Sequence, residues 1–232
     1  MKQVTFYYCR HGETMFQAAG RMEGWCDSPL TDRGREQMRS AARHLRSVPF
    51  NSAYLSSDER CRDSFDLIKD ERKIPWAATK SLKEVFFGSL EGAEISAHAG
   101  EIHEIRTGSR DWSPYGGESR EDIENRIRNT FQRIYENSSD MDRILLVSGG
   151  ELFVDLLTVL FKIPYERLLK AARLDEEGEV VIAAGVAGTF ICREGIWEIL
   201  NLKGYDTSIL KQLRSIPDGL ILNGMIRRDS DS

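Results

Sequence analysis

The chain has 232 residues, of which 41% are hydrophobic and 30% charged, a length that suits one α/β domain carrying an insertion and is tight for two domains. Its formal net charge is −5, and the basic residues are interspersed without a basic stripe, which disfavours nucleic acid and other large polyanions as partners. The longest apolar stretch, residues 180–192, is shorter than the roughly 20 residues that a membrane-spanning helix needs, so we expect no membrane segment.

The predicted elements begin with a strand, a loop and a helix. Residues 4–8 are a short apolar run and predict a buried parallel strand. Thr31 is of the residue type that caps helices, and the apolar residues after it recur at helical spacing as far as Val48. Residues 53–55 predict a second strand and residues 58–70 a second helix.

The second half of the chain predicts further helices and strands. Ser119 and Asp122 have the spacing of a capping box and predict the start of a helix. Residues 143–147 predict a third central strand, which leads into a helix from about residue 152 to 161. Closing strands are predicted at residues 180–183, 189–193 and 196–202.

A motif that fits phosphate chemistry follows the first predicted strand. Residues 9–14 have the sequence CRHGET, which sets an arginine beside a histidine on a glycine turn. Arg10 offers a planar fork to phosphoryl oxygens, and the imidazole of His11 can act as a nucleophile. By itself the motif also fits ordinary polar residues that leave a strand, because short motifs match by chance.

Four further segments extend this pattern in a fixed order along the chain. They are residues 21–34, 56–60, 82–92 and 116–119. Together the five motifs resemble the histidine phosphatase superfamily, the phosphoglycerate mutase-like group, over about residues 4–150. The last third of the chain matches this family only in outline.

The resemblance implies a fold as well as a chemistry. We expect a three-layer α/β/α sandwich with a mostly parallel central sheet, built as one domain over residues 1–225. Residues 226–232 are too polar to bury and predict a flexible tail. Residues 86–115 show weak periodicity and correspond to the family's insertion over the active site, so we assign them as a small substrate-selecting lid.

The resemblance also implies which groups act on the phosphate. His11 is the nucleophile; its imidazole must be neutral, and a hydrogen bond from the other ring nitrogen to a backbone carbonyl would fix the required tautomer. Arg10 and Arg60 grip the phosphoryl oxygens. Arg60 is preferred over its neighbour Arg62 because its spacing from the flanking serines matches the family.

Glu84 is the proton donor that the resemblance implies. A carboxylic acid beside a phosphate has a raised pKa and can protonate the leaving alkoxide, and its carboxylate can later activate a water. Gln17 stands where the family commonly has asparagine, and Arg21 is expected to shape the loop. The residues assigned to substrate binding are Thr14, Gln17, Arg21 and Gly149.

The chain departs from the family after the third central strand. Where the family has a second histidine in a Ser-His-Gly context, this chain has Ser148-Gly149-Gly150. In the family that histidine donates a hydrogen bond to the transferring phosphoryl group, and loss of one such donor costs about 10²–10³ in rate. Gly149 is also expected to be able to adopt a positive φ, where any side chain would be strained.

Three outcomes are open after this loss. A slow phosphatase can act with His11, both arginines and Glu84, or the lid can supply a replacement donor from His98 or His103. Alternatively, the protein can bind a phosphorylated ligand without turnover.

The first outcome fits the retained residues best. It predicts a weak, metal-independent phosphomonoester hydrolase that forms a phosphohistidine, uses no cofactor and acts on a small phosphorylated metabolite. The alternatives are an inactive phospho-ligand-binding or scaffolding protein and, third, a phosphoglycerate mutase-type phosphotransferase. Small phosphorylated substrates or inorganic phosphate are the expected partners. The four cysteines lack metal-ligand spacing and no secretory leader precedes the motif, so we expect a cytoplasmic protein.

Overall fold

A six-stranded sheet forms the centre of the computed structural model, which describes residues 1–172 and 182–205. Its strands are β1 (Gln3–Arg10), β2 (Ser52–Ser56), β3 (Trp76–Thr79), β4 (Arg143–Ser148), β5 (Gly185–Arg193) and β6 (Ile196–Leu202). Their order is β3-β2-β4-β1-β5-β6; the first four are parallel, and β5 and β6 run antiparallel to their neighbours. The predicted mostly parallel α/β sheet is therefore confirmed.

Helices cover both faces of this sheet. Within the described ranges they are α1 (Met15–Ala18), α2 (Asp32–Leu45), α3 (Glu59–Lys69), α4 (Ala99–Thr107), α5 (Arg120–Asn137), α6 (Gly150–Leu160) and α7 (Tyr165–Ala171). Phe6 and Tyr8 of β1 belong to a core shared with α5 and α6, whereas Cys9 belongs to a second core shared with α2 and α3. This alternation along one strand produces the predicted three layers. None of these helices is long and apolar enough to cross a membrane.

The register of the central strands brings two motifs together. β1 and β4 pair in parallel, with Cys9 opposite Val147 and Arg10 opposite Ser148. The segments that follow both strands therefore leave the sheet side by side at its carboxyl edge, where open α/β sheets place their ligands.

Both predicted helix caps are confirmed. The Thr31 side chain accepts a hydrogen bond from Gly34 N at 2.9 Å. Ser119 and Asp122 form a reciprocal capping box at the start of α5. α6 begins at Gly150, two residues before the predicted start, so the glycine pair lies at the helix N-terminus instead of in a separate loop.

Residues 86–115, which the sequence analysis assigned as a lid and which keep that name below, and the sheet edge contain elements that the sequence pattern did not predict. Residues 86–115 hold short 3₁₀ turns and α4, whose weak amphipathic pattern hides it. β3 is a four-residue edge strand with mostly exposed side chains, so it lacks an apolar signature. The predicted tail at residues 226–232 and part of the predicted strand at 180–183 lie outside the described residues.

Candidate active site

The imidazole of His11 is held in one orientation immediately after β1. His11 N donates a hydrogen bond to Ser148 O at 3.1 Å, which continues the pairing of β1 with β4. The Nδ1 atom lies 2.8 Å from Gly12 O. Because a carbonyl oxygen only accepts, Nδ1 carries the proton and Nε2 keeps a free lone pair. The predicted tautomer-fixing contact to a backbone carbonyl is therefore present.

The electrostatic surroundings of His11 keep its imidazole neutral. The residue is 2% exposed, and burial lowers its pKa well below the usual value. The positive charges of Arg60 and Arg10 lower the pKa further, and the hydrogen bond to Gly12 opposes them only in part. A neutral, buried imidazole between two cations is the protonation state that a nucleophilic histidine needs.

Gly12 is required by a close approach of two backbones. A Cβ at this position would lie 2.8 Å from the carbonyl carbon of Gly34 in α2, and closer still to its oxygen. Gly12 N donates to Ser64 Oγ at 3.1 Å, and that hydroxyl donates to Arg60 O at 2.7 Å. The loop after β1 is thus fixed against both α2 and α3.

Arg60 lies in the first turn of α3, with its side chain 1% exposed. Its Nη1 donates to Cys26 O at 2.7 Å and to Asp27 Oδ1 at 3.0 Å, and its Nη2 donates to Gly24 O at 2.6 Å. The outer edge of the guanidinium therefore holds the 24–27 loop instead of standing open to a ligand. Its neighbour Arg62 pairs with Asp66 at 2.9 Å on an exposed surface.

Each of the two arginines beside His11 has a buried Nε donor without a hydrogen-bond partner among the described residues. Arg10 donates instead from Nη1, to Ile182 O. Buried donors without acceptors are costly, so these two Nε–H groups are suited to an anionic ligand.

Glu84 caps α6. Its Oε1 accepts from Val85 N at 3.0 Å and Leu152 N at 2.6 Å, and its Oε2 accepts from Glu151 N at 3.0 Å. Burial, followed by the negative charge of Glu151, raises the pKa of Glu84 to about 7, although the backbone donors favour the charged form. The carboxyl group can therefore exchange a proton near neutral pH.

Gly149 does not have the positive φ that we expected. Its φ is −91° and its ψ is 175°, an extended backbone that any residue can adopt. The reason for glycine is instead the contact with Glu84. A Cβ at position 149 would lie 3.0 Å from Glu84 Oε1, and closer still to Oε2 and Cδ. The Glu84 carboxylate thus takes the space that a side chain at 149 would need.

The residues assigned to substrate binding have mainly structural contacts. Thr14 caps α1, accepts from Gln17 N at 3.2 Å and donates to Glu23 Oε2. Gln17 Oε1 accepts from Thr14 N at 3.3 Å. Arg21 donates to Gly92 O at 2.8 Å and pairs with Glu94 at 3.4 Å, which agrees with a loop-shaping role.

A cavity of about 270 Å³ is lined by Arg10, Glu84 and Gly150, whereas His11 and Arg60 are not part of its wall. Its walls combine apolar side chains, such as Met22, Phe87 and Val154, with the amide of Gln17. The charged residues in the wall are Arg10, Arg21, Arg106, Glu23, Glu84 and Glu151. The wall thus has three positive and three negative side chains. Its local charge is balanced, so the negative net charge of the chain does not by itself keep an anion out of the cavity.

The lid histidines do not line this cavity. His98 is partly exposed and lies 2.8 Å from Glu101 within its own segment, and His103 is exposed on α4. The lid instead contributes the guanidinium of Arg106 to the cavity wall.

Comparison with known families agrees with this arrangement. The family model for the histidine phosphatase superfamily (branch 1) matches residues 6–184. This chain belongs to the histidine phosphatase superfamily. The family assignment made from the five sequence motifs is therefore confirmed.

The relatives of this superfamily member carry different activities in their names. A 2,3-bisphosphoglycerate-dependent phosphoglycerate mutase 2 of Gloeobacter violaceus is 30% identical over 170 residues, 69% of this chain and 77% of the relative. A glucosyl-3-phosphoglycerate phosphatase of Mycolicibacterium vanbaalenii is 31% identical over 168 residues, 68% of this chain and 74% of the relative. The crystal structure of phosphoglycerate mutase from Bacillus anthracis str. Sterne superposes with a TM-score of 0.74 at 21% identity, covering 90% of this chain and 96% of that chain. The structural likeness shows the fold.

In this histidine phosphatase superfamily member, a buried ion network that the motifs did not reveal joins the lid to α6. Arg106 and Arg110 both pair with Glu151, at 2.7 Å and 2.8 Å. Arg110 also donates to Asp155 at 2.6 Å, and Arg120 reaches the same carboxylate at 2.6 Å. The positive charges of Arg106, Arg110 and Arg10 lower the pKa of Glu151 to about 2, even though burial alone would raise it. The partners lie too far apart in sequence for any local pattern to show them.

Proposed function

We propose that the chain is a metal-independent phosphomonoester hydrolase that forms a phosphohistidine at His11. The observation that carries this proposal is the state of His11: a buried, neutral imidazole whose Nδ1 is engaged by Gly12 O, beside two arginines with unused Nε donors. The substrate class is a small phosphorylated metabolite, because the cavity of about 270 Å³ fits a small molecule.

Each retained group has a defined task in this reaction. His11 Nε2 attacks phosphorus, while the Nε–H groups of Arg10 and Arg60 donate to the phosphoryl oxygens and stabilise their charge. The protonated Glu84 carboxyl group gives its proton to the leaving alkoxide. In the second half-reaction a water attacks the phosphohistidine and Glu84 takes its proton, which regenerates the starting state.

The remaining wall of the cavity is proposed to hold the organic part of the substrate. Gln17 and Arg21 line the cavity, and their side chains can donate to substrate oxygens. Thr14 acts indirectly by holding Glu23 and the loop after β1. Gly149 supplies no side-chain donor, so we expect turnover about 10²–10³ below that of a site with the second histidine.

Binding without turnover is the second candidate. The observation that favours it is the pose of Glu84, whose carboxylate accepts three backbone N–H groups and lies on α6. A mutase-type transfer is the third candidate, since several relatives are named phosphoglycerate mutases.

Hydrolysis of a phosphomonoester panel, with and without a metal chelator, separates these candidates. We expect slow release of phosphate that the chelator does not change, that His11→Ala abolishes and that His44→Ala leaves intact. His44 is a matched control because its ring also contacts a backbone carbonyl, Ser40 O at 2.8 Å, but lies on α2 away from the cavity wall. Binding of a phosphorylated ligand without hydrolysis would favour the binding protein. Transfer of the phosphoryl group to phosphoglycerate, in place of water, would favour the mutase.

A further inference from the structure

The start of α6 depends on a contact that only glycine at position 149 permits. Gly149 is the N-cap residue of α6 and has no side chain to accept from the first free N–H groups of the helix. The Glu84 carboxylate accepts from two of them, Glu151 N and Leu152 N. Any Cβ at 149 would overlap this carboxylate, so a side chain at 149 and the capping pose of Glu84 exclude each other.

The capping pose does not suit proton donation. All three backbone donors point at the carboxylate oxygens, and donated hydrogen bonds stabilise the charged form. A protonated carboxyl group would have to give up at least one of these contacts and turn its O–H toward a leaving group. Proton transfer to a substrate therefore requires Glu84 to leave the helix start.

We propose that Gly149 is a positioning residue that sets where the Glu84 carboxyl group lies. Glycine at 149 removes the second histidine of the family and also leaves room for Glu84 to fold onto α6. In the free protein the acid therefore stays in place as a helix cap. A side chain at 149 drives Glu84 off the helix toward the cavity that it already lines. This inference rests on the proposed hydrolase function, because it assigns the acid of that reaction.

Substitution of Gly149 by a residue without an imidazole tests this inference. Gly149→Ala forces Glu84 off α6, and Gly149→Ser does the same while its hydroxyl caps the freed N–H groups, which protects the fold. For a substrate with a poor alkyl leaving group, we expect both variants to raise kcat/KM by about tenfold, since general acids contribute strongly there. For an activated aryl phosphate, which needs no acid, we expect a change within about twofold.

Two backgrounds show whether the effect passes through Glu84. In the Glu84→Gln background, adding Gly149→Ser should no longer change the ratio of kcat/KM for the alkyl phosphate to kcat/KM for the aryl phosphate. Asn129→Ser is the control, because Asn129 is exposed on α5, outside residues 86–115 and outside the cavity wall. We expect it to leave both substrates unchanged.

A stability cycle tests the contact independently of activity. Gly149→Ala should lower the folding equilibrium constant by about tenfold in the wild-type chain, and much less in Glu84→Ala, where the carboxylate is gone. Additive effects in this cycle would overturn the proposal, and so would an alkyl-to-aryl ratio that stays constant in folded Gly149→Ser. Failure of the proposed function looks different: no variant, including wild type, would then hydrolyse the aryl phosphate in a His11-dependent way.

Discussion

Gly149→His places an imidazole where the Glu84 carboxylate now lies. Because a Cβ at 149 would lie 3.0 Å or less from both carboxylate oxygens, Glu84 must leave the start of α6. Its hydrogen bonds from Glu151 N and Leu152 N at the start of α6 are then lost. Loss of a helix cap costs about 0.5–2 kcal/mol, so we expect the free energy of unfolding to fall by about 2 kcal/mol. For a chain of this size that corresponds to a Tm lower by about 4–8 °C.

The same substitution supplies a donor to the transferring phosphoryl group. One preorganised donor is worth about 10²–10³ in rate, and we expect a rise in kcat of at least about tenfold because the loop has not been shaped around the new ring. Unlike Gly149→Ser, the histidine variant should accelerate activated aryl phosphates as well as alkyl phosphates. The comparison of these two variants separates the imidazole from the displacement of Glu84.

The assay combines thermal unfolding with steady-state kinetics on the wild type, Gly149→His and Gly149→Ser. A histidine variant with an unchanged Tm would refute the claim that a side chain at 149 displaces the Glu84 carboxylate from the start of α6. A folded variant that binds phosphate but shows neither turnover nor phosphohistidine would refute the hydrolase and favour a binding role.

Three further predictions concern charge. Turnover of alkyl phosphates should fall as the pH rises through about 7, because Glu84 loses its proton there. The lowered pKa of His11 keeps the imidazole neutral on both sides of that value, so a pH-rate profile should show the titration of Glu84 alone. Because the pKa of Glu84 is raised from 4.5 to about 7, its contribution to stability is full below pH 4.5 and is lost as the pH rises to 7. Chemical denaturation should show this loss, about 3 kcal/mol, relative to Glu84→Gln. Arg110→Ala should destabilise the chain by about 3 kcal/mol, because Asp155 is fully buried, whereas the exposed Arg128→Ala should change the free energy of unfolding by less than about 1 kcal/mol.

Features that depend on neighbouring residues could be predicted from the sequence. The caps at Thr31 and Ser119 follow from side chains that bond within three residues, and the central strands follow from short apolar runs. The helix α4 was missed because its apolar pattern is weak, and β3 because its side chains are exposed.

The site could be predicted only where it follows a motif. The contact of His11 Nδ1 with a carbonyl was expected from the chemistry, and the structure shows it in the next residue, Gly12. The conformation of Gly149 was predicted wrongly, because the reason for glycine is a carboxylate about 65 residues earlier in the chain. The engagement of Arg60 by the 24–27 loop is equally non-local, since its hydrogen bonds span more than 30 residues.

Trapping of the covalent intermediate tests the central claim most directly. The wild-type chain is mixed with a radiolabelled phosphomonoester, quenched in base, digested and mapped by mass spectrometry, with His44→Ala as the positive control. We expect an acid-labile, base-stable phosphoryl group on His11 that appears and decays at the rate of turnover and is absent from His11→Ala. Turnover that proceeds with no label on His11, or that persists in His11→Ala, would contradict the assignment of His11 as the nucleophile.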